Sequence, residues 1–426
     1  MRDLTVSNTA RCDDERKPAP GSASAVQPLL RSGGQRLRFA ALPPLSLYIH
    51  VPWCVRKCPY CDFNSHELRD GLPEGEYVAA LIADIEQALP QVWGRTVYTV
   101  FFGGGTPSLL SAAAVEEILS AVRARLRLAT DAEITLEANP GTVEADRFAG
   151  FRAAGVNRLS LGVQSFDPRY LRSLGRIHDE EQARWAIVIA QRVFDNVNVD
   201  VMYALPAQAP SDALADIAAA IAYAPAHISA YHLTIEPNTL FHRHPPRLPD
   251  DDQAAHMQEQ LEARLAEGGY ENYEISAFAR EGKRCAHNLN YWRFGDYLGV
   301  GAGAHSKLTF PDRVVRAMRH KQPRRYMQQV GAGQAVQESH EVAVHDLPFE
   351  FMMNAMRPVG GFELQLFEER TGLPRTIVLG ALDRAEQEGL VERDHVRVRP
   401  SLRGRRFLND LLLRFLPEEP SGSKVP

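Results

Sequence analysis

Cysteine is scarce in this chain, five residues in 426. A disulfide-stapled secreted scaffold needs a denser supply, so the fold must stand on a hydrophobic core. Long apolar runs are also missing. None approaches the roughly 20 residues that a membrane helix requires. The N-terminus lacks a charged head followed by an apolar stretch, which argues against a secretory leader. Nor is there an excess of positive charge. Lys and Arg total 48 against 53 Asp and Glu, a formal net charge of −5. No global pull toward nucleic acid is expected from that balance. Unpaired thiols fit a reducing cytoplasm, which is the expected location. What remains, 45% hydrophobic and 24% charged, is the composition of a globular chain long enough for two or three domains.

The few cysteines are not scattered. Cys54, Cys58 and Cys61 follow one another as Cys-x3-Cys-x2-Cys, directly after the run Leu47-Tyr48-Ile49-His50-Val51. Thiolates gathered this tightly share a metal or a cluster. On a [4Fe-4S] cluster three cysteines leave one iron without a protein ligand, and an open metal position marks a site that binds or reacts. The competing reading is a Cys3His zinc staple with His50 or His66 as fourth ligand, although zinc sites usually take their cysteines in pairs. A disulfide is weaker still, because three is odd. Cys12 reads as an incidental free thiol, and Cys285 as a buried thiol or a second candidate ligand.

From residue 45 the hydrophobic pattern alternates between strand and helix. Strands are expected at 45–51, 96–102, 133–137, 158–163, 198–202 and 227–233. Helices are expected at 74–89, 111–126, 142–153, 180–193, 212–223 and 251–267. Six such units predict a parallel α/β sheet, too short for a closed eight-stranded barrel: a partial, TIM-like (β/α)6 barrel with a lateral mouth. The unusual residues fall just after the strands, where parallel folds place their sites. They are Gly103-Gly104-Gly105-Thr106-Pro107, Glu137, Gln164, Asp200 and Glu236, with Arg176 downstream. The glycines allow close backbone approach and are expected to leave N–H groups free for a ligand. One acidic strand end is commonly a solvated turn; several on one rim argue for a shared pocket.

The domain plan follows from composition. Residues 1–44 are expected to form a disordered tail, 45–285 the barrel, and 286–345 an aromatic- and glycine-rich connecting region. That region carries His287-Asn288-x-x-Tyr291-Trp292. Residues 346–416 read as helices plus a short hairpin, a winged-helix-like α+β domain, with 417–426 a second disordered tail. Arg399, Arg403, Arg405 and Arg406 read as a solvated or packed face rather than a DNA surface.

The cysteine triplet after Tyr48-Ile49-His50 resembles the signature of the radical S-adenosylmethionine (SAM) superfamily. Gly103–Pro107, Gly162-Val-Gln-Ser-Phe166, Arg176-Ile-His178 and Asp200-Val-Met-Tyr-Ala-Leu-Pro206 resemble the subgroup of oxygen-independent coproporphyrinogen III oxidases. The resemblance runs from about residue 45 to 415. It implies a [4Fe-4S] cluster on Cys54, Cys58 and Cys61, with SAM on the fourth iron. It implies SAM contacts at Tyr48, Gly104, Gly105, Thr106, Glu137, Gln164, Arg176 and Asp200, with Phe63 beside the adenine. The subgroup has two branches. Its oxidases carry a further cysteine two positions after the third; here that position is Phe63. HemW-type haem chaperones have Cys-x-Phe together with His-Asn-x-x-Tyr-Trp, and this chain has both. The resemblance therefore implies a haem chaperone, with haem contacts at His287, Tyr291 and Trp292. It implies haem-accepting partner proteins, respiratory haem enzymes among them, and leaves room for a homodimer and peripheral membrane contact. Coproporphyrinogen III oxidase is the alternative. Ala204 and Ala207 stand where the subgroup more often has glycine. This is expected to be harmless, provided neither takes a positive φ.

Overall fold

The computed structural model describes residues 37–69, 71–142 and 145–416. Its organising strand is β1 (Leu45–Val51). Leu45, Leu47, Ile49 and Val51 face the helical layer and are at most 1% exposed. Ser46, Tyr48 and His50 alternate with them and face the opposite way, into the barrel. Strands β2 (Thr96–Gly104), β3 (Arg127–Ala138), β4 (Arg158–Gln164), β5 (Val197–Tyr203) and β6 (His227–His232) follow in spatial order, each parallel to the one before. Five helices make the crossovers, Glu74–Val92, Ala112–Arg125, Ala145–Ala154, Glu180–Val193 and Pro210–Ala222, and a sixth, Asp251–Glu267, follows β6. Their starts are written locally. Ser111 accepts the Ala114 N–H at 3.1 Å. Asp179 and Asp250 form capping boxes with Gln182 and Gln253, which satisfies donors that a helix start leaves open.

Beyond β6 the sheet turns antiparallel. β7 (Glu271–Asn272) pairs with β8 (Ala277–Ala279), and β8 pairs with β6. The expectation of a connecting region at 286–345 needs correction. Its β9 (Asp296–Val300) lies parallel to β1 along the other edge. Then β10 (His305–Phe310), β11 (Arg313–Arg319) and β12 (Val336–Glu341) extend the sheet antiparallel. The order is β12-β11-β10-β9-β1-β2-β3-β4-β5-β6-β8-β7, open at both ends among the described residues. Glycines disguised β9 as a loop. A Cβ at Gly299 would collide with the His305 carbonyl, and one at Gly301, φ +103°, with the His50 carbonyl. These glycines serve close strand approach.

A buried carboxylate ties this added sheet to the first helix. Asp84 accepts from Arg319 at 3.2 Å, from the Tyr326 hydroxyl at 2.8 Å and from Gly301 N at 3.1 Å. The C-terminal domain has its own core around Phe351, Phe362, Phe367, Leu382 and Val398. Helices Leu347–Ala355, Leu364–Thr371 and Thr376–Gln387 pack with a three-stranded sheet of Phe362–Glu363, Val391–Arg393 and Arg397–Pro400, the winged-helix-like arrangement expected. The last helix is split at Phe407 into Leu402–Arg406 and Leu408–Leu413. The arginines of this domain are engaged: Arg399 with Glu392, Arg406 with Glu259, and Arg405 with Asn272.

Cys12 and the tail residues 1–36 and 417–426 lie outside the described residues. The rest of the expected N-terminal tail is fixed. Leu37 is buried in the C-terminal core, and Arg95 donates to the Pro43 carbonyl at 2.6 Å. A second correction concerns Ala204 and Ala207, which both adopt φ +56°. The left-handed region costs an L-residue about 1–2 kcal/mol, partly offset in a glycine variant by the larger entropy of its unfolded chain. Ala207 is exposed, so no packing is lost on truncation. Ala207→Gly is expected to raise stability by about 0.5–1 kcal/mol in urea unfolding; a loss of stability would contradict this account of the turn.

Candidate functional site

The C-terminal ends of the parallel strands converge on a cavity of ≈ 400 Å³. Cys54, Cys58, Cys61 and Phe63 enter it from the loop after β1. Gly104, Gly105 and Thr106 enter at the end of β2, Glu137 from β3, Gln164 from β4, Asp200 from β5, and Arg176 from beyond β4. Every expected residue of the cluster and SAM sets borders this one cavity except Tyr48.

The cysteine loop is braced by short-range bonds. Trp53–Cys54 pairs with His66–Glu67, and Cys61 N donates to the Cys58 carbonyl at 3.2 Å. Lys57 Nζ donates to the carbonyls of Phe63 and Ser65 at 3.3 and 3.2 Å. His50 has both ring nitrogens engaged, Nδ1 with the Tyr48 hydroxyl at 3.1 Å and Nε2 with the Asn64 carbonyl at 2.9 Å. It is a strut of the loop. His66 faces a separate groove with Trp53, Leu68 and Met327. Neither candidate fourth ligand of a zinc staple joins the cysteines. Among the described residues, no three His, Cys, Asp or Glu side chains close on a single ion position. Thiols ranged around a cavity suit a multi-atom cluster better.

The glycine run works differently from expectation. Its N–H groups are not free: Gly105 donates to the Val51 carbonyl at 2.7 Å, Thr106 to the Trp53 carbonyl at 2.8 Å, and Gly104 to Glu137 Oε2 at 3.3 Å. A Cβ at Gly104, φ +115°, would meet the His50 ring, and one at Gly105 the Trp53 carbonyl. The glycines press β2 against the start of the cysteine loop.

The electrostatics favour a positive counter-charge beside the thiols. Burial pushes the Cys54 and Cys61 thiols up, and the neighbouring cysteines add to it. A bound metal would reverse that preference. Arg176 donates to the Gly162 carbonyl at 2.6 Å and approaches Cys58 Sγ at 3.5 Å, while its buried Nε has no hydrogen-bond partner. Glu137 is pushed up to about 8, first by burial and then by Asp200. Burial also raises Asp200. Gln164 takes φ +73° at a register break between β4 and β5, so backbone strain sits at the cavity wall.

Tyr48 lies deeper in the barrel, with Phe101 and His287 at ring distances of 6.2 and 6.5 Å. Its hydroxyl is held protonated by burial and then by Glu137. The helix Ala286–Trp292 enters from the N-terminal ends of the strands. Glu133 accepts the Ala286 and His287 N–H groups at 3.0 Å each. His287 Nδ1 bonds to Thr99 Oγ1 at 2.8 Å, and burial followed by Arg158 lowers its pKa to about 3. Tyr291 and Trp292 pack edge to face at 4.9 Å, with Arg357 over the Trp292 ring. None of the three lines the cysteine cavity. Cys285 is buried, its thiol pushed up to about 12 by burial and lying 3.5 Å from Glu133 Oε1, also away from that cavity.

Residues 48–219 match the profile of the radical SAM superfamily, and residues 342–407 that of the HemN C-terminal domain. The chain is 49% identical to the heme chaperone HemW of Escherichia coli (strain K12), covering 88% of this chain and 99% of that protein. It is 45% identical to the Haemophilus influenzae heme chaperone HemW, over 89% and 99%. The chain belongs to the HemW haem-chaperone family. Among solved structures it resembles the radical SAM enzyme coproporphyrinogen III oxidase (HemN) of Escherichia coli, at a TM-score of 0.75 and 26% identity, covering 88% of this chain and 90% of that one.

Within this HemW fold, sequence reading missed the supports of the cavity. Tyr60, Tyr231 and His232 also line it. For Tyr231 the signal was the strand period: on β6, residues 227, 229 and 231 share one face. Glu137 yields a pH prediction. An unfolded glutamate loses its proton near pH 4.5, whereas folded Glu137 keeps it to about 8. The folded chain holds the extra proton between those values, so this contribution to stability is full below pH 4.5 and is lost as pH rises through 8. Chemical denaturation of the ligand-free protein at pH 5.5 and 8.5 is expected to show that decline, flattened in Glu137→Gln. An equal slope in both proteins would contradict the assignment.

Proposed function

We propose that this protein is a haem chaperone that carries haem as cargo and passes it to acceptor proteins, and that the cysteine cavity holds a [4Fe-4S] cluster and SAM. The observation that carries the reading is near-full-length identity to proteins named heme chaperones, joined to Phe63 at the position where the oxidase branch has a further cysteine. No helix among the described residues is long and apolar enough to cross a membrane. A cytoplasmic location and haem-accepting partners belong to the same reading, as do a homodimer and peripheral membrane contact.

The residues fit the proposed cofactors. Cys54, Cys58 and Cys61 would hold three irons. The charge of the cluster would answer the buried thiols, and Arg176, which borders the cavity 3.5 Å from Cys58 Sγ, would add a positive charge beside it. Glu137 and Asp200 are acceptors suited to an amine or to ribose hydroxyls. Gly104, Gly105 and Thr106 would form the wall, and Gln164 the strained edge. Phe63, 63% exposed at the mouth, offers an aromatic face for the adenine. Tyr48 would act from below, through His50 and Glu137. When bound and reduced, the pair supplies one-electron chemistry. The chain's own part is to orient and neutralise.

For haem, the proposed contacts are His287, Tyr291 and Trp292. A His287 pKa of about 3 keeps the imidazole neutral at physiological pH, the form that can ligate iron. The second reading, a coproporphyrinogen III oxidase, is favoured by the structural likeness to HemN. Titration with haemin, followed by the Soret band, tests the haem site. Wild type is expected to bind near one haem per chain, and His287→Ala to bind about tenfold more weakly or with a shifted band. Unchanged binding and spectrum would remove His287 from the haem site.

A further inference from the structure

Asp200 is held by a buried chain of hydrogen bonds that runs down the inside of the barrel. Asn198 Nδ2 lies 2.8 Å from Asp200 Oδ1 and 2.8 Å from Ser160 Oγ. Asn198 Oδ1 lies 2.6 Å from His227 Nδ1 and 3.0 Å from Ser229 Oγ. His227 Nε2 lies 2.8 Å from the Tyr273 hydroxyl, whose oxygen accepts the Cys285 N–H at 3.2 Å. Asn198, His227 and Tyr273 are each at most 3% exposed.

With Asp200 ionised, the directions of these bonds are forced. A carboxylate only accepts, so the amide nitrogen of Asn198 must face Asp200. Its oxygen then faces His227, so His227 must carry its proton on Nδ1. That leaves Nε2 as an acceptor, which the Tyr273 hydroxyl fills, and the Tyr273 oxygen in turn accepts from the backbone. One proton fewer or more on His227 breaks the series. Burial, and after it the positive charge of Arg158, hold His227 neutral. Every member is satisfied at both ends, the condition under which a buried polar network rigidifies what it touches.

We infer that Asn198, His227 and Tyr273 are positioning residues for the SAM cavity: they fix the carboxylate of Asp200 in one orientation and tie it to the backbone that starts the Ala286–Trp292 helix. This rests on the reading of that cavity as a SAM site. The helix carrying His287 and the wall carrying Asp200 thus share one anchor, through Tyr273. Deprived of the Asn198 donor, Asp200 would face Glu137, Tyr231 and Arg158 with only Ser160 and Ser229 to orient it.

The test is equilibrium SAM binding to anaerobically reconstituted protein across pH, with iron content and Tm measured on each variant. His227→Ala is expected to keep its iron and weaken SAM binding about tenfold. His227→Asn, which can still donate to Asn198, is expected to restore most of the affinity. Asn198→Asp replaces the donor by a like charge and is expected to move the acid limb of SAM binding to higher pH. Wild-type affinity in His227→Ala with an unmoved pH profile in Asn198→Asp would overturn the inference. So would equal loss in both His227 variants tracking a lowered Tm, since that is a purely structural effect. If wild type itself binds no SAM, the cavity reading falls instead, and the two failures are distinguishable.

Discussion

The pairing of β1 along both edges is the constraint on which the rest depends. Parallel β9 lies on one side and parallel β2 on the other. Its last residues run directly into the cysteine loop. Tyr77 donates to the His50 carbonyl at 2.6 Å, Gly105 to the Val51 carbonyl at 2.7 Å and Thr106 to the Trp53 carbonyl at 2.8 Å. A loop bearing three thiols is thereby launched from a strand that cannot shift register without breaking bonds on both edges. The glycines after β2 and β9 exist to permit that approach. Backbone hydrogen bonds at His50, Val51 and Trp53 fix where the cysteine loop begins.

The second constraint is charge inside the barrel. Glu133, Glu137 and Asp200 share the interior with Arg158, which is 2% exposed. Burying carboxylates costs free energy unless each is paired or hydrogen-bonded. Glu133 is spent on the start of the Ala286–Trp292 helix, and Asp200 on Asn198 and Ser160. Glu137 has one backbone donor and a raised proton affinity, so it is the group with most to gain from a cationic ligand. Glu137 and Asp200 at the cavity are acceptors suited to amino and hydroxyl groups, and Glu133 at the opposite end of the barrel holds the helix carrying His287.

Much of this was legible in the sequence. Periodicity placed six of the seven parallel strands, β1 to β6, and the helices between them, and helices 180–193 and 251–267 appear with the expected bounds. Polar residues at strand ends announced the rim. What failed had physical reasons. β9 is short and bracketed by glycines, so it read as loop. The N–H group of Gly105 was expected to be free, because sequence does not reveal which carbonyl lies opposite. Positive φ at Ala204 and Ala207 was invisible, since alanine gives no local sign of it. Asn198 and His227 passed as strand residues, because a buried network is a property of the assembled barrel.

Family membership and Phe63 together set the account apart from porphyrinogen oxidation. The structure supplies a barrel of the radical SAM type, a cysteine loop held rigid, and a separate histidine-bearing helix. The central claim is that the cargo is haem and that the cysteine cavity serves its handling. The most direct measurement compares haem-loaded, anaerobically reconstituted protein with and without SAM and a low-potential reductant. Haem transfer to an apo-haem protein is followed in one arm, and conversion of coproporphyrinogen III in the other. The account predicts haem transfer and no product from coproporphyrinogen III; multiple turnovers of coproporphyrinogen III without haem transfer would contradict it.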